Sequence, residues 1–276
     1  RALKRLRRAG AILIAEFDDL VFDAAYHRFS PAVLNRRSPR WLIHRQYRHH
    51  QRVLTWFDGI SVATEPLAEH VGILCPEMPV LVMPNCIHGD WLPIDVSAER
   101  SQQQPKVLSY FPGTRSHDRD FEQISGVLTR FLEERADLRL QIIGPLRYHI
   151  AARPEQISHQ KRLPFAAYRE QVKSSWLNLA PLEATPFTRC KSGIKVIEAA
   201  SWGIPTLCSR IPDTERLVGY GAVVADEPHD WLTHLRRICD DPHDTLGRAT
   251  LPSRVRRLAN IDHECVRFEH FVESLG

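Results

Sequence analysis

The sequence has no apolar run approaching the ~20 residues that a membrane-spanning helix needs. With 43% hydrophobic and 25% charged residues it reads as a globular chain. Its six cysteines are scattered without a CxxC spacing, so they suggest neither a zinc site nor a disulfide framework, and a reducing, cytosolic compartment is expected. Internal repeats and low-complexity tracts are absent. The apolar stretch 11–15 behind the basic start is too short for the core of a secretory signal. Neither sign of charge dominates: 37 Lys and Arg against 33 Asp and Glu leave +4. The small excess is local, in RALKRLRR at 1–8 and in RRSPRWLIHRQYRHHQR at 36–52. Such stretches are solvated helix faces, or a surface for anionic lipid head groups or a lipid-diphosphate acceptor. No nucleic-acid partner is expected.

What is present centres on 179–207. An apolar run at 176–180, broken at Asn178, is stopped by Pro181. A polar loop follows at 183–190. The pattern then predicts a helix over 191–202, with Ile194, Val196, Ile197 and Ala200 apolar, closed by Gly203. A buried strand follows at 204–208. A strand–loop–helix unit aims backbone N–H groups and the positive end of a helix dipole at the loop, which suits a phosphate. Lys191 and Lys195 lie four apart, on one helical face, and Glu198 follows three residues on. Two cations and then a carboxylate match a diphosphate with an attached ribose.

The run KSGIKVIEAASWGIP at 191–205 resembles the donor-site helix of GT-B glycosyltransferases, in the large group that includes family 4, and most closely a variant with a Lys-Ser-x-x-Lys pattern. The resemblance implies an α/β fold of two Rossmann-like domains with parallel sheets. It implies that Glu198 binds the ribose of a nucleotide sugar, and that Lys191, Lys195 and Arg119 neutralise the leaving diphosphate. The first Glu of the family's Glu-x7-Glu motif falls on Cys190. Thr188, Cys190 and Ser192 then face the sugar, and the loss of that Glu suits a deoxy sugar with fewer hydroxyls.

The rest of the chain is an alternation of strands and helices, which argues for parallel sheets covered by helices. A helix at 1–9 feeds a strand at 11–17 that ends in Asp18-Asp19. Acidic residues there stand at a sheet's carboxyl edge, or cap a turn. The resemblance puts Asp18 and Asp19 on the acceptor side, orienting or deprotonating an acceptor hydroxyl. A loop at 23–39 leads to a helix at 41–57 with Leu42, Val53, Leu54 and Phe57 as its stripe. A strand at 60–63, a helix at 65–71 capped by Thr64, and a strand at 80–83 follow. PNCI at 84–87 resembles the turn that ends the N-terminal domain of these enzymes, with Asn85 a turn residue only. The polar segment 90–105 reads as a linker, dividing the chain into 1–100 and 101–276. The chain opens without Met, on a basic helix leading straight into a strand, so an incomplete N-terminal domain is expected.

The second part opens with a strand at 106–111, the loop PGTRSHDRD and a helix from 120 to 134. One glycine makes no dinucleotide fingerprint, but Arg115, His117 and Arg119 converge on a helix start, where a diphosphate is held well. The resemblance aligns Gly113 with the family's loop glycine, Arg119 with its phosphate-binding lysine, and His117 with Asp120 in a Gly-Thr-x-(Ser/Thr)-His-x-x-Asp-Phe variant. A strand at 138–143, a polar stretch at 153–162 and a helix at 163–172 follow. The resemblance implies that Leu163 and Phe165 line the base pocket; packing in the core is the alternative. A short helix at 214–215, a strand at 221–225 and helices at 228–240, 242–259 and 263–274 complete the chain. The resemblance has the last helix crossing back to the first domain. The expected activity is metal-independent, retaining transfer from a nucleotide-diphosphate sugar, with no cofactor. The acceptor is a polysaccharide, lipopolysaccharide or lipid-linked glycan, and the location is cytoplasmic, on occasion peripheral at the inner face of the membrane. A degenerate non-catalytic GT-B module and a nucleotide-sugar epimerase are the alternatives.

Overall fold

A computed structural model describes residues 2–91, 106–241 and 246–276. Residues 92–105 of the linker read at 90–105, and 242–245 of the helix read at 242–259, lie outside the described residues; the start of that linker instead ends a 3-10 turn, Gly89–Trp91, with Trp91 buried. Among the described residues, nine strands form two parallel sheets. The first holds β1 (Ile14–Phe17), β2 (Gly59–Val62) and β3 (Val80–Val82) in the order β1-β2-β3. The second holds β4 (Lys106–Tyr110), β5 (Leu138–Ile143), β6 (Ile157–Gln160), β7 (Leu177–Ala180), β8 (Thr206–Ser209) and β9 (Ala222–Ala225). Its order is β6-β5-β4-β7-β8-β9, every neighbouring pair parallel. Counted within the sheet this is the 3-2-1-4-5-6 order of a doubly wound dinucleotide fold.

Apolar spacing explains the layers. Helix Asp118–Glu134 buries Phe121, Ile124, Leu128 and Phe131, three to four residues apart, together with Leu132, against one face of the second sheet, beside Trp231 and Leu235 of helix Pro228–Asp240. Each such side chain contributes about 1.5–3 kcal/mol on burial. The other face is covered by helices Phe165–Ser174, Ile194–Ala200 and Leu251–Leu258 through Val172, Val196, Ile197, Leu251 and Val255. The last helix, Ile261–Ser274, leaves this sheet and lies on the first one. Arg267 Nη2 donates to Val82 O at 2.9 Å, and a Cβ on Gly59 would meet Phe271 Cζ at 2.7 Å. The boundary drawn at 100 therefore leaves one helix of the second segment on the first sheet.

Some elements differ from the sequence reading. Polar 153–162 contains β6, an edge strand with mostly exposed side chains; backbone pairing on one side sustains it without an apolar pattern. The 23–39 loop holds a 3-10 turn, Ala24–Phe29, and a short helix, Pro31–Leu34, capped by Asp23 and Ser30. Helix Arg40–Val53 buries Ile43 and Tyr47, with Leu54 buried just beyond it, while Leu42, Val53 and Phe57 are half-buried. Thr64 sits at the N-cap of helix Glu65–Leu74 but its hydroxyl does not cap it; it donates to Cys190 O at 2.9 Å across the two halves.

Candidate functional site

Between β4 and β7 the winding of the second sheet reverses. Loops at the carboxyl ends of such strands diverge and leave a crevice. A cavity of about 300 Å³ lies there, lined from the second sheet by His117, Ala180, Lys191, Ser192 and Lys195, and from the first by Asp18, Asp19 and Asn85.

Helix Ile194–Ala200 begins three residues later than the sequence pattern suggested, with Gly193 as its N-cap. Lys191 and Lys195 therefore do not share a face of one helix. Lys191 stands in the turn before it, its amide donating to Thr188 O at 3.0 Å, and Lys195 lies in the first turn. The two ammonium groups enter the cavity from different elements. Lys191 Nζ bonds Asp19 Oδ1 at 2.8 Å and lies 5.2 Å from the Phe187 ring centroid. Lys195 Nζ lies 5.1 Å from the Tyr110 ring centroid. Burial pushes Lys195 down to about 8; Asp120 and Glu198 work against this, and Lys191 adds to it. At the start of this helix the amide of Gly193 donates to buried Asp213 Oδ2 at 2.6 Å.

Glu198 accepts from Tyr168 Oη at 2.7 Å. Burial raises its carboxyl above the usual range, against the pull of Tyr168 and Lys195. His117 ends the 3-10 turn Arg115–His117 and meets Asp120 Oδ2 through Nδ1 at 2.8 Å. Asp120 Oδ1 takes the Glu183 amide at 2.8 Å, so one buried carboxylate joins the loops after β4 and β7. Asn85 Nδ2 donates to Ser192 Oγ at 2.8 Å, which makes this turn residue part of the cavity wall.

Other expected site residues are placed elsewhere. Cys190 does not face the cavity. It is fully buried in the apolar cluster of the first sheet, where burial pushes its thiol up to about 12. The side chain of Thr188 closes a capping box with Thr185 at helix Pro186–Arg189 and is buried. Arg119 points away and clasps Glu183 through two nitrogens. Arg115 lines a separate basic pocket with Arg147, Lys161 and Arg162. Gly113 is exposed, and a Cβ there would meet nothing within 4 Å. Leu163 packs against the second core cluster, and Phe165 stacks on Trp91 at 5.9 Å. Asn85, Tyr168 and Asp213 were not legible beforehand: their partners are 107, 30 and 20 residues away, and no local spacing announces them.

No protein-family profile matches the sequence, and no curated protein matches it by sequence. Solved structures do match in shape. Sucrose-phosphate synthase from Thermosynechococcus elongatus superposes with a TM-score of 0.68 at 13% identity, over 99% of this chain and 70% of that one. HepE of Anabaena, solved in complex with UDP, gives 0.68 at 11% identity, over 99% and 75%. WaaG, a glycosyltransferase involved in lipopolysaccharide biosynthesis, gives 0.57 at 16% identity, over 94% and 76%. The two parallel sheets and the cleft between them are the GT-B fold that these glycosyltransferases share.

Proposed function

We propose that the chain is a glycosyltransferase of the family-4-like variant with Lys-Ser-x-x-Lys and a single Glu. It moves a sugar from a nucleotide-diphosphate sugar to a polysaccharide, lipopolysaccharide or lipid-linked glycan acceptor, with retention and without a metal. The observation that carries this reading is the convergence of Lys191 and Lys195 on the crevice at the sheet's switch point; Glu198, one helical turn beyond Lys195 and bonded to Tyr168, is the residue assigned to the ribose in this reading. Shape likeness to HepE, solved with UDP, and to WaaG supports it.

The chemistry follows from the charges. As the bond from the anomeric carbon to the diphosphate breaks, its electron pair moves to a phosphate oxygen. Two fixed ammonium groups in a partly desolvated site stabilise that charge. Lys191 is held by Asp19. An arriving diphosphate takes Lys191 over and releases Asp19 to orient the acceptor hydroxyl, whose proton Asp18 or Asp19 receives. The exposed face Arg45, Arg48 and Arg52 of helix Arg40–Val53 suits anionic lipid head groups and a peripheral membrane acceptor; among the described residues no helix is long and apolar enough to cross a membrane.

Thermal stabilisation by UDP, GDP, ADP and dTDP tests the site. A ligand at a hundred times its Kd stabilises the fold by about 2.7 kcal/mol. One nucleotide is expected to raise the Tm of the parent and to have no effect on Lys191→Ala or Glu198→Ala. Absence of any shift in the folded parent refutes the donor site. A non-catalytic module is the second reading, favoured by the burial of Cys190 where the family carries a sugar-binding acid; release of nucleoside diphosphate from a donor separates the two.

A further inference from the structure

Asp120 is 6% exposed, and both its carboxylate oxygens are engaged, Oδ2 by His117 Nδ1 and Oδ1 by the Glu183 amide. A carboxylate only accepts hydrogen bonds, so the shared proton belongs on Nδ1. Burial, with Lys195 and Lys191 nearby, holds His117 below the usual imidazole range, although Asp120 pulls the other way. The ring is therefore neutral near pH 7, and Nε2 keeps a lone pair. His117 lines the cavity, and no described protein group takes Nε2.

The two cations that act on this ring have the opposite character. Lys191 and Lys195 only donate, which suits phosphate oxygens. A diphosphate has no hydrogen to offer an acceptor nitrogen, whereas a sugar hydroxyl has. His117 stands on the same wall as Lys195, while the acceptor-side carboxylates Asp18 and Asp19 stand on the other. We infer that Asp120 is a positioning residue that sets His117 as its Nδ1–H tautomer, so that Nε2 accepts a hydrogen bond from a hydroxyl of the transferred sugar. This sugar contact rests on the donor-site reading above.

The test starts with ligand-free, ¹⁵N-histidine-labelled protein and long-range ¹H–¹⁵N spectra, with His117 assigned from His117→Gln. Nδ1 is expected to carry the proton in the parent. In Asp120→Asn the amide keeps its oxygen on Glu183 and turns its NH2 to the ring, which moves the proton to Nε2. A parent ring protonated on Nε2 overturns the proposal. Calorimetry then compares UDP, GDP, ADP and dTDP with their glucose conjugates. For the nucleotide that binds, Asp120→Asn should weaken the nucleotide sugar about tenfold more than the diphosphate, the scale of one hydrogen bond lost and reversed; a loss common to both ligands reports the lower charge of Lys195 once the Asp120 carboxylate is gone, and sugar affinity is read as the ratio of the two. In the His117→Gln background a side-chain carbonyl reaches the place of Nε2 without Asp120. There Asp120→Asn should add nothing to the loss of sugar affinity; an equal further loss means that Asp120 acts on the fold alone and overturns the proposal. If Asp120→Asn does not fold, His117→Gln within about threefold of the parent and His117→Phe about tenfold weaker for the sugar carry the same decision. If the parent shows the Nδ1–H ring but binds no nucleotide, the donor-site reading falls and the sugar contact with it, while the positioning of His117 stands.

Discussion

The two walls of the cleft are held in different ways. On the wall built by the six-stranded sheet, three polar groups have partners on the same wall: His117 on Asp120, Glu198 on Tyr168, Lys195 over the Tyr110 ring. On the wall built by the three-stranded sheet, Asp18 is exposed, and Asp19 and Asn85 are held by Lys191 and Ser192 of the opposite wall. The first wall is preorganised by its own packing. The second takes its arrangement from contacts across the cleft, so its geometry depends on the other wall while the reverse holds less.

The largest effect is expected where the rigid wall is tightest. Gly144, at the end of β5, has φ +134°, and a Cβ there would lie 2.0 Å from Pro112 O in the loop after β4. Gly144→Ala should cost about 3 kcal/mol or more through strain and overpacking, whereas Gly113→Ala, with open space around it, should change stability by under about 0.5 kcal/mol. Urea unfolding of the two variants decides this; equal effects would show that the loops of this wall are not fixed by that approach.

The charge on the same wall comes next. Lys195, pushed down to about 8 by burial, is charged below that pH and neutral above it. Nucleoside diphosphate affinity should therefore fall about tenfold between pH 7 and 9, for one lost ion contact in a partly desolvated site. Lys195→Arg should flatten the profile. Stability runs the other way. The folded pKa lies below the ~10.4 of a free lysine, so the folded chain sheds this proton first, and the group's destabilising effect fades as pH rises from about 8 toward 10.4. Calorimetry and urea titrations across pH 7–9.5 check the two opposite signs.

The smallest effect belongs to the other half. Cys190→Ala removes one buried sulfur from the cluster of the first sheet and should cost about 1 kcal/mol. It should leave nucleotide binding and the preference between deoxy and fully hydroxylated donors unchanged. A shift in that preference, measured by binding of both donor types, would put Cys190 back at the sugar.

The strand–turn–helix at 177–200 was legible because its signals are local. Apolar spacing, a proline stop and a glycine at φ +73° announce the elements, and Lys191, Lys195 and Glu198 ride on them. Asp18 and Asp19 were legible as the end of a strand, although that strand, read as buried, lies at the sheet edge with Ala15 as its one buried residue. Edge strand β6 was not, since a strand paired on one side keeps polar side chains. Cys190 was misplaced for a related reason: its position in the loop is local information, but the direction of its side chain is not.

By itself the sequence determined the two parallel α/β layers, because helix and strand periods repeat over a few residues and need no distant partner to be read. It also determined which cations and carboxylate the central motif carries. Only the tertiary structure decided which of them meet. The three-residue delay of the Ile194–Ala200 helix, the capture of the Gly193 amide by Asp213, the turn of Cys190 into the first sheet's core and the seating of the last helix on Gly59 all depend on packing between segments far apart in the chain. Burial and hydrogen-bond satisfaction there are settled only once both partners are in place.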